Sequence, residues 1–543
     1  MLDRYDELYR GFRWNVPARY NIAQACCGAW ADDRSRFALY WEDESGAQAA
    51  YSFWEVQKAA NRLSNALAGL GVKRGDRVAL ILPQRPETAI AYMAIFQMGA
   101  IALPLSHLFG PEALEYRLNH AEASVALVEP TTLGNFWAVR DKLRTLRQVI
   151  GVGGARETGV HGYESLVERA SDQFSCAPTA ADDPAIIIYT SGTTGAPKGA
   201  LQGHRAILGN IPGFVHSHDF FPQRGDLFWS PADWAWAGGL FDALLPSWYF
   251  GLPIVGYRGR FDAERAYYLL EKYRVRNSFL FPTALKLMMK AVPHPKARFD
   301  LSLRSVMSAG EAVGVTVIEW AKEELGVTIN EMFGQTEINY VVGNCQSAWP
   351  VKPGSIGRPY PGHRVAVIDE AGNELPRGQL GEIAVDRKSD PVFFLEYWKN
   401  PQATRDKFVG DWGCTGDQAK VDEDGYFWYQ GRSDDVIKSA GYRIGPAEIE
   451  SCLVKHAAVA NAAVIGKPDE TRGAIVKAFI VLQPGHPPSD GLKEEIQKHV
   501  RGRLAPYEYP REIEFIDALP MTTTGKVQRK ELRKLEEARL AAK

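Results

Sequence analysis

The sequence predicts an α/β protein with a large N-terminal domain of doubly wound sheets, a small barrel-like subdomain and a small C-terminal α/β domain. Three observations carry that prediction. Strand-length apolar runs alternate with helix-period segments, one stretch shortens to strand–turn–strand spacing, and apolar periodicity gives way to charged and small residues at Gly431 to Gly441, GRSDDVIKSAG. At 543 residues the chain exceeds what one hydrophobic core supports, so separate domains are expected, here 1–432 and 433–543.

From Arg77 the run RVALILP reads as a strand, Pro86 to Met98 as a helix and Ala100 to Leu103 as a second strand, the order of a βαβ unit. Ala185 to Tyr189 is a short apolar run of buried-strand type. The alternation recurs as a strand at Pro253 to Tyr257, a helix near Ala263 to Tyr273, a strand at Ser278 to Leu280 and a helix near Ala284 to Ala291. Between Val365 and Val385 the spacing shortens, with turns at Glu370 to Gly372 and Pro376 to Gly378, which predicts the barrel-like antiparallel subdomain. Beyond Gly441, Pro446 suits the first turn of a helix with Ile449, Cys452 and Leu453 on one face. Strands near Val459 to Ile465 and Ile475 to Leu482 follow, and Leu492, Ile496, Val500 and Leu504 mark a further helix.

The net charge is −2, from 63 basic and 65 acidic residues, which gives no electrostatic footprint for nucleic acid or an anionic membrane. A small-molecule substrate is favoured. The six cysteines have neither CxxC pairs nor regular spacing, as expected of packing residues in a reducing compartment. The N-terminus mixes acids with bases around no apolar core, and no apolar run approaches the roughly 18 to 20 residues of a membrane span. A cytoplasmic location is expected.

Thr190 to Gly199 reads TSGTTGAPKG, directly after the apolar run. Thr190, Ser191, Gly192, Thr193, Thr194 and Gly195 let backbone N–H groups and hydroxyls converge on an oligophosphate, and Lys198 supplies a point charge. It is not a Walker A loop, because Pro197 precedes the lysine and Gly199 follows it. Other Gly-rich polar loops sit where strands should end: Gly310-Glu311-Ala312, Met332-Phe333-Gly334-Gln335-Thr336-Glu337 and Thr415-Gly416-Asp417. In this order, and continuing through GRSDDVIKSAGYRIGPAEIE and LPMTTTGKVQRKEL, they resemble the ANL superfamily of adenylate-forming enzymes over nearly the whole chain. PADWAWAGG at Pro231 to Gly239, with GYRIGP and TGKVQR, is most similar to its medium-chain acyl-CoA synthetase branch.

The resemblance implies an AMP-forming acid–thiol ligase, with ATP, Mg²⁺ and CoA as its reactants and metal. The 190s loop with Lys198 would bind the ATP phosphates, and Gly310, Glu311, Ala312, Glu331, Met332, Phe333, Gly334 and Gln335 would border the nucleotide, Phe333 flat against adenine. Thr336 would contact the α-phosphate and the substrate carboxylate, and Glu337 would hold Mg²⁺. Asp417 would take the ribose hydroxyls, with Arg432 near ribose and phosphate. Lys526 would stabilise the charge that builds at the α-phosphate. Asp434 would be the hinge of a mobile C-terminal domain, Arg443 would face the acyl-adenylate, and Ala440, Gly441 and Tyr442 would line the pantetheine tunnel. Arg472, Arg501, Tyr509, Pro510 and Arg511 would meet CoA.

Trp236, Gly334 and Asn339 would form the acyl pocket. Acetyl-CoA synthetases carry tryptophan where this chain has Gly334, so a pocket open to medium-chain, branched or aromatic acids is expected. A short-chain acetyl or propionyl ligase and a carrier-protein acyl ligase are the alternatives. Two departures stand out: Leu108 replaces a polar CoA contact, and Ile338-Asn339 replaces the usual Thr-Gly after GQTE. Pro520 to Lys526 also has the form on which protein acetyltransferases act in related synthetases, and acetylation would remove the lysine charge.

Overall fold

The computed structural model describes residues 3–190, 196–310, 313–388, 390–432, 435, 437–439, 442–469, 473–501, 503–504, 508–521 and 527–541. The chain divides into two units: 1–351 with 359–364 and 387–406, and 352–358 with 365–386 and 407–543.

The first unit holds two sheets. One runs in the order Val160–Gly162, Gln148–Gly151, Ala123–Val128, Arg77–Ile81, Ile101–Pro104, Pro184–Thr190, Lys198–Gly203 and Glu396–Tyr397. It is parallel as far as Pro184–Thr190 and antiparallel at its last two pairings. The predicted βαβ unit is present, with the helix at Pro86–Gln97. That helix is apolar all round and buries every side chain except Glu87, which is why its sequence shows little amphipathic periodicity. The helix Phe53–Gly69 starts at a capping box in which Ser52 and Glu55 satisfy each other's backbone N–H groups.

The second sheet has a parallel core of Phe37–Asp43, Ile254–Arg258, Phe228–Trp229, Asn277–Phe279, Ser305–Ser308 and Ile329–Gln335, flanked by the antiparallel strands Gln48–Ser52 and Asn339–Gly343. Val255, Leu269, Leu270, Leu285, Val306 and Ile329 are fully buried in one cluster on this sheet. Glu129, which follows a strand of the first sheet and is 1% exposed, receives Arg85 at 3.0 Å and Arg258, at the end of a strand of the second, at 3.1 Å. Removing one partner from so buried a group costs about 3–5 kcal/mol. Arg258 therefore ties the second sheet to the first, while Arg85 holds Glu129 within the first.

The second unit contains an antiparallel sheet in which Val365–Ile368, Gly381–Asp386 and Trp412–Val421 are successive neighbours. Phe408–Val409 and Phe427–Arg432 pair with Trp412–Val421 as well. Further along, Val459–Asp469 and Gly473–Leu482 form an antiparallel pair to which Glu512–Phe515 adds in parallel. The helices Pro446–Leu453 and Asp490–Arg501 pack on it through Ile449, Leu453, Ile496 and Val500. Among the described residues no helix is long and apolar enough to cross a membrane.

Candidate active site

Strands Pro184–Thr190 and Lys198–Gly203 form a hairpin whose connection is the Gly/Thr-rich loop. Thr190 faces Lys198 across it, and Thr190 Oγ1 donates to the Lys198 carbonyl at 3.4 Å. Ser191, Gly192, Thr193, Thr194 and Gly195 lie outside the described residues. The Lys198 ammonium stands 5.2 Å from the centre of the Tyr397 ring, and Tyr397 Oη donates to Glu337 Oε1 at 2.5 Å. One phenol thus separates the lysine of the loop from the carboxylate of the GQTE motif. The Gln202 amide donates to the Thr336 carbonyl, and the Phe394 N–H donates to the Glu337 carbonyl at 2.9 Å. Glu337 is 7% exposed in this frame, a hard oxygen donor of the kind Mg²⁺ takes one or two of alongside substrate phosphates. Among the described residues no group of three or more His, Cys, Asp or Glu is placed to hold a metal by itself. A single buried carboxylate of this kind would suit an ion held jointly with substrate phosphate.

Strand Ser305–Ser308 runs parallel to Ile329–Gln335 and brings Gly310, left-handed at φ 94°, towards Met332 and Phe333. Glu311 and Ala312 lie outside the described residues. Met332 is buried and Phe333 half-buried. Glu331 Oε1 accepts from the Val313 N–H at 3.0 Å, which anchors the far side of that loop. Burial pushes the Glu331 carboxyl up to about 7 although that hydrogen bond pulls the other way.

At Gly334 the structure differs from the simplest expectation of an opened pocket. A Cβ there would lie 1.8 Å from the Asn339 carbonyl oxygen, so the place of the missing side chain is filled by backbone. The register shifts between Phe333 and Gly334, and Asn339 carries the return strand through φ 46°. Glycine permits that close crossing, and asparagine tolerates the left-handed turn. Trp236, half-buried, precedes the helix beginning at Ala237 and meets Phe109 edge-on at 5.7 Å. Asp233, three residues earlier, accepts from Ser106 Oγ at 3.1 Å and lies 3.4 Å from His107 Nδ1. Burial works against charge on His107, but Asp233 outweighs it and raises the pKa above that of ordinary histidine. Leu108 beside them is 68% exposed.

In the second unit Asp417 and Arg432 are paired across neighbouring strands. Asp417, 4% exposed, accepts from Tyr429 Oη at 3.0 Å and from Arg432 Nη1 at 3.4 Å. Gly416, at φ 76°, donates its N–H to Glu382 at 2.7 Å, which holds the TGD turn. Tyr509 lies between two exposed arginines, with Arg501 3.9 Å and Arg511 5.2 Å from its ring centre. Gln497 donates to the Pro510 and Arg511 carbonyls at 3.0 and 3.2 Å, tying this segment to the helix Asp490–Arg501. Asp434, Ala440, Gly441, Arg472 and Lys526 lie outside the described residues, as do the side chains of Tyr442 and Arg443. Met521 and Val527, on either side of the Lys526 segment, are bridged. Asp435 receives Arg529 at 3.2 Å and Arg533 at 2.6 Å, and Arg529 also reaches Glu450 at 2.5 Å.

Sequence reasoning passed over Tyr397, Tyr429 and Arg529. Tyr397 and Arg529 act through partners 60 and 79 residues away, and Tyr429 through Asp417 on the neighbouring strand; only Arg529 lies within a motif the sequence offered, TGKVQR.

The family described as AMP-binding enzyme matches residues 29–398, and that described as AMP-binding enzyme C-terminal domain matches residues 448–526. The acetyl-coenzyme A synthetase of Bacillus subtilis (strain 168) is 37% identical over 98% of this chain and 95% of its own length. Mitochondrial acyl-coenzyme A synthetase ACSM3 of Rattus norvegicus is 35% identical over 98% of this chain and 93% of its own. The crystal structure of the anthranilate CoA ligase AuaEII in complex with anthranoyl-AMP superimposes with a TM-score of 0.88 at 30% identity, covering 97% of this chain and 99% of that one.

Proposed function

Because this chain belongs to the AMP-binding enzyme family and is an AMP-forming acid–CoA ligase, we propose that it activates a medium-chain, branched or aromatic carboxylic acid with the residues assembled above. The reaction joins the acid to ATP as acyl-AMP with release of pyrophosphate, and then joins the acyl group to CoA with release of AMP. The observation that carries the site assignment is the arrangement of Lys198 and Glu337 on either side of Tyr397.

In the first step a carboxylate oxygen forms a bond to the α-phosphorus of ATP and the bond to pyrophosphate breaks. Ser191 to Gly195 and Lys198 would cradle the phosphates, and Thr336 would hold the α-phosphate and the carboxylate. Glu337 would hold Mg²⁺, whose charge offsets that of the phosphates when bound. Adenine would lie between the 310s loop and Phe333, with ribose on Asp417 beside Arg432. Lys526 would meet the negative charge of the transition state, where a preorganised cation contributes about 3–4 kcal/mol. In the second step the CoA sulfur attacks the acyl carbonyl carbon, the thiol proton is lost and AMP leaves. Ala440 to Arg443 would line the thiol's approach. Arg472, Arg501 and Arg511 would bind CoA, with Tyr509 as a flat platform. The C-terminal residues 433–543 would turn about Asp434 between the two steps.

Trp236, Gly334 and Asn339 would bound the acyl chain. The anthranilate ligase among the similar structures supports an aromatic or comparably bulky acid, whereas the acetyl-coenzyme A synthetase keeps short acids in the test panel. We place the protein in the cytoplasm, in keeping with six free cysteines, and an acetyltransferase acting on Lys526 would silence adenylation.

Lys526→Ala tests the division of labour. Adenylation, followed by acid-dependent pyrophosphate exchange, should fall about 100- to 1,000-fold. Thioester formation from supplied acyl-AMP should be largely retained. Equal loss of both half-reactions overturns the assignment.

A further inference from the structure

Arg117, on the helix Pro111–His120, is 9% exposed and has no carboxylate paired with it among the described residues. Its Nη1 donates to the Ala113 carbonyl at 2.9 Å and its Nε has no partner. The guanidinium carbon stands 4.3 Å from the centre of the Phe109 ring and 5.6 Å from that of Tyr189. Glu115 and Glu122, on either side of it in sequence, pair with Lys142 and Lys399 instead. Arg85 is the contrast: it is 8% exposed, and Glu87 at 2.7 Å and Glu129 at 3.0 Å answer it. Those carboxylates outweigh burial and raise the Arg85 pKa, whereas burial lowers that of Arg117. Two rings and one carbonyl return only part of what a guanidinium loses on leaving water. An apolar side chain would serve such a position better, so the charge is kept at a cost that an anion brought by a ligand would offset.

The surroundings of Arg117 select the anion. Tyr189, 2% exposed, directly precedes Thr190, and Thr190 faces Lys198 across the hairpin. A Cβ on Gly199 would stand 3.3 Å from the Tyr189 ring, so that ring packs on the strand just past Lys198. On the other side Tyr116 Oη donates to the Pro197 carbonyl at 3.0 Å. Consecutive residues of one helix thus touch both ends of the connection that leads to Lys198. His120, one turn on, stacks on Tyr116 at 5.4 Å, and its Nδ1 lies 2.7 Å from Tyr189 Oη. Burial, helped by Lys399, holds the His120 pKa below that of ordinary histidine, so the arginine is the cation of this cluster.

We propose that Arg117 is a second cation for the β- and γ-phosphates of ATP, acting beside Lys198 from within the protein and holding the pyrophosphate that leaves. The inference rests on Lys198 binding those phosphates. A charge held out of water is screened less than one at the surface, so it acts past the Tyr189 ring without touching the phosphate. Arg117 therefore weakens the free protein and strengthens the liganded one.

The test is ATP–pyrophosphate exchange without CoA, driven by the best acid of an acetate, hexanoate and benzoate panel, with inorganic pyrophosphate titrated. Arg117→Met keeps the stem and loses the charge. Its KM for pyrophosphate should rise about tenfold or more, the scale of one unit charge acting over about 10 Å at a protein's effective dielectric. Its Tm without ligand should equal or exceed that of wild type, and the rise in Tm given by magnesium pyrophosphate should shrink. Thioester formation from supplied acyl-AMP involves no pyrophosphate and should stay within about twofold of wild type. Arg117→Lys, which keeps a charge, should bind pyrophosphate better than Arg117→Met. A wild-type KM for pyrophosphate in Arg117→Met overturns the proposal, and so does a lower Tm of that variant without ligand, because the charge would then serve the fold. A KM raised equally in the lysine and methionine variants overturns it as well, since shape and not charge would be at work. Should Arg117→Met fail to fold, Arg117→Gln, which keeps a donor for the Ala113 carbonyl, takes its place in the comparison. Lys198→Ala in the same exchange separates the two readings. An unchanged KM for pyrophosphate there overturns the phosphate role of Lys198, whereas a raised one with Arg117→Met at the wild-type value overturns this inference alone.

Discussion

Gly334→Ala adds one carbon where the structure leaves no room for it. The new Cβ would lie 1.8 Å from the Asn339 carbonyl oxygen, 2.5 Å from its carbon and 3.2 Å from the Tyr340 nitrogen. All three are backbone atoms, so no rotamer change relieves the contact. The strands Ile329–Gln335 and Asn339–Gly343 must part, or the turn at Asn339 must give up its φ of 46°. Overpacking against side chains costs about 1–3 kcal/mol, and an immovable backbone places this substitution at or above the top of that range. For a unit of this size each kcal/mol lowers Tm by about 1–2 °C, so a fall of about 3 °C or more is expected. The same displacement shifts Thr336 and Glu337, which follow directly, so kcat/KM should fall by about tenfold or more for every acid alike. Differential scanning fluorimetry and pyrophosphate release measure the two. Gly334→Trp should behave in the same way and should not create an acetate-selective enzyme. The reasoning is refuted if Gly334→Ala keeps wild-type Tm and activity. It is refuted equally if Gly334→Trp is stable and prefers acetate, because the Asn339 turn would then have yielded to a side chain entering the pocket.

Glu331 has a folded pKa of about 7 against an ordinary 4.5, so the native state binds its proton more tightly than the unfolded chain does. Its stabilising effect is full below pH 4.5 and is lost as pH rises to 7, by about 3 kcal/mol. Glu331→Gln should therefore gain Tm relative to wild type between pH 5 and 8, and parallel curves would contradict the assignment. Tyr397→Phe removes the hydrogen bond to Glu337, so the Mg²⁺ concentration for half-maximal adenylation should rise about three- to tenfold; an unmoved Mg²⁺ titration counts against the role given to Glu337. Tyr509→Ala removes the ring between Arg501 and Arg511, so KM for CoA should rise about fivefold or more with adenylation unaltered, and loss in the adenylation half-reaction instead would remove Tyr509 from the CoA site.

What the sequence made legible follows from how each role is built. The phosphate loop is local: TSGTTGAPKG occupies one hairpin connection, and composition alone indicates what such a turn does. The βαβ unit at Arg77 to Pro104 is legible for the same reason, since strand, helix and strand are each defined within a few residues. Tyr397 is different. It stands 60 residues from Glu337, and only the folding of its short edge strand against Lys198–Gly203 brings the phenol to the carboxylate. Gly334 shows a subtler failure, because an absent side chain reads as empty space while the backbone crossing that fills it depends on the φ of a residue five positions on. The chemistry shared with other family members is written in contiguous motifs, because phosphate must be met by successive backbone N–H groups. The choice of acid is written in encounters between distant elements, because an acyl pocket is closed by whichever side chains the packing brings together. Catalytic class is thus read from spacing, whereas substrate identity has to be read from contacts such as Trp236 against Phe109 and Gly334 against Asn339, which no contiguous motif encodes.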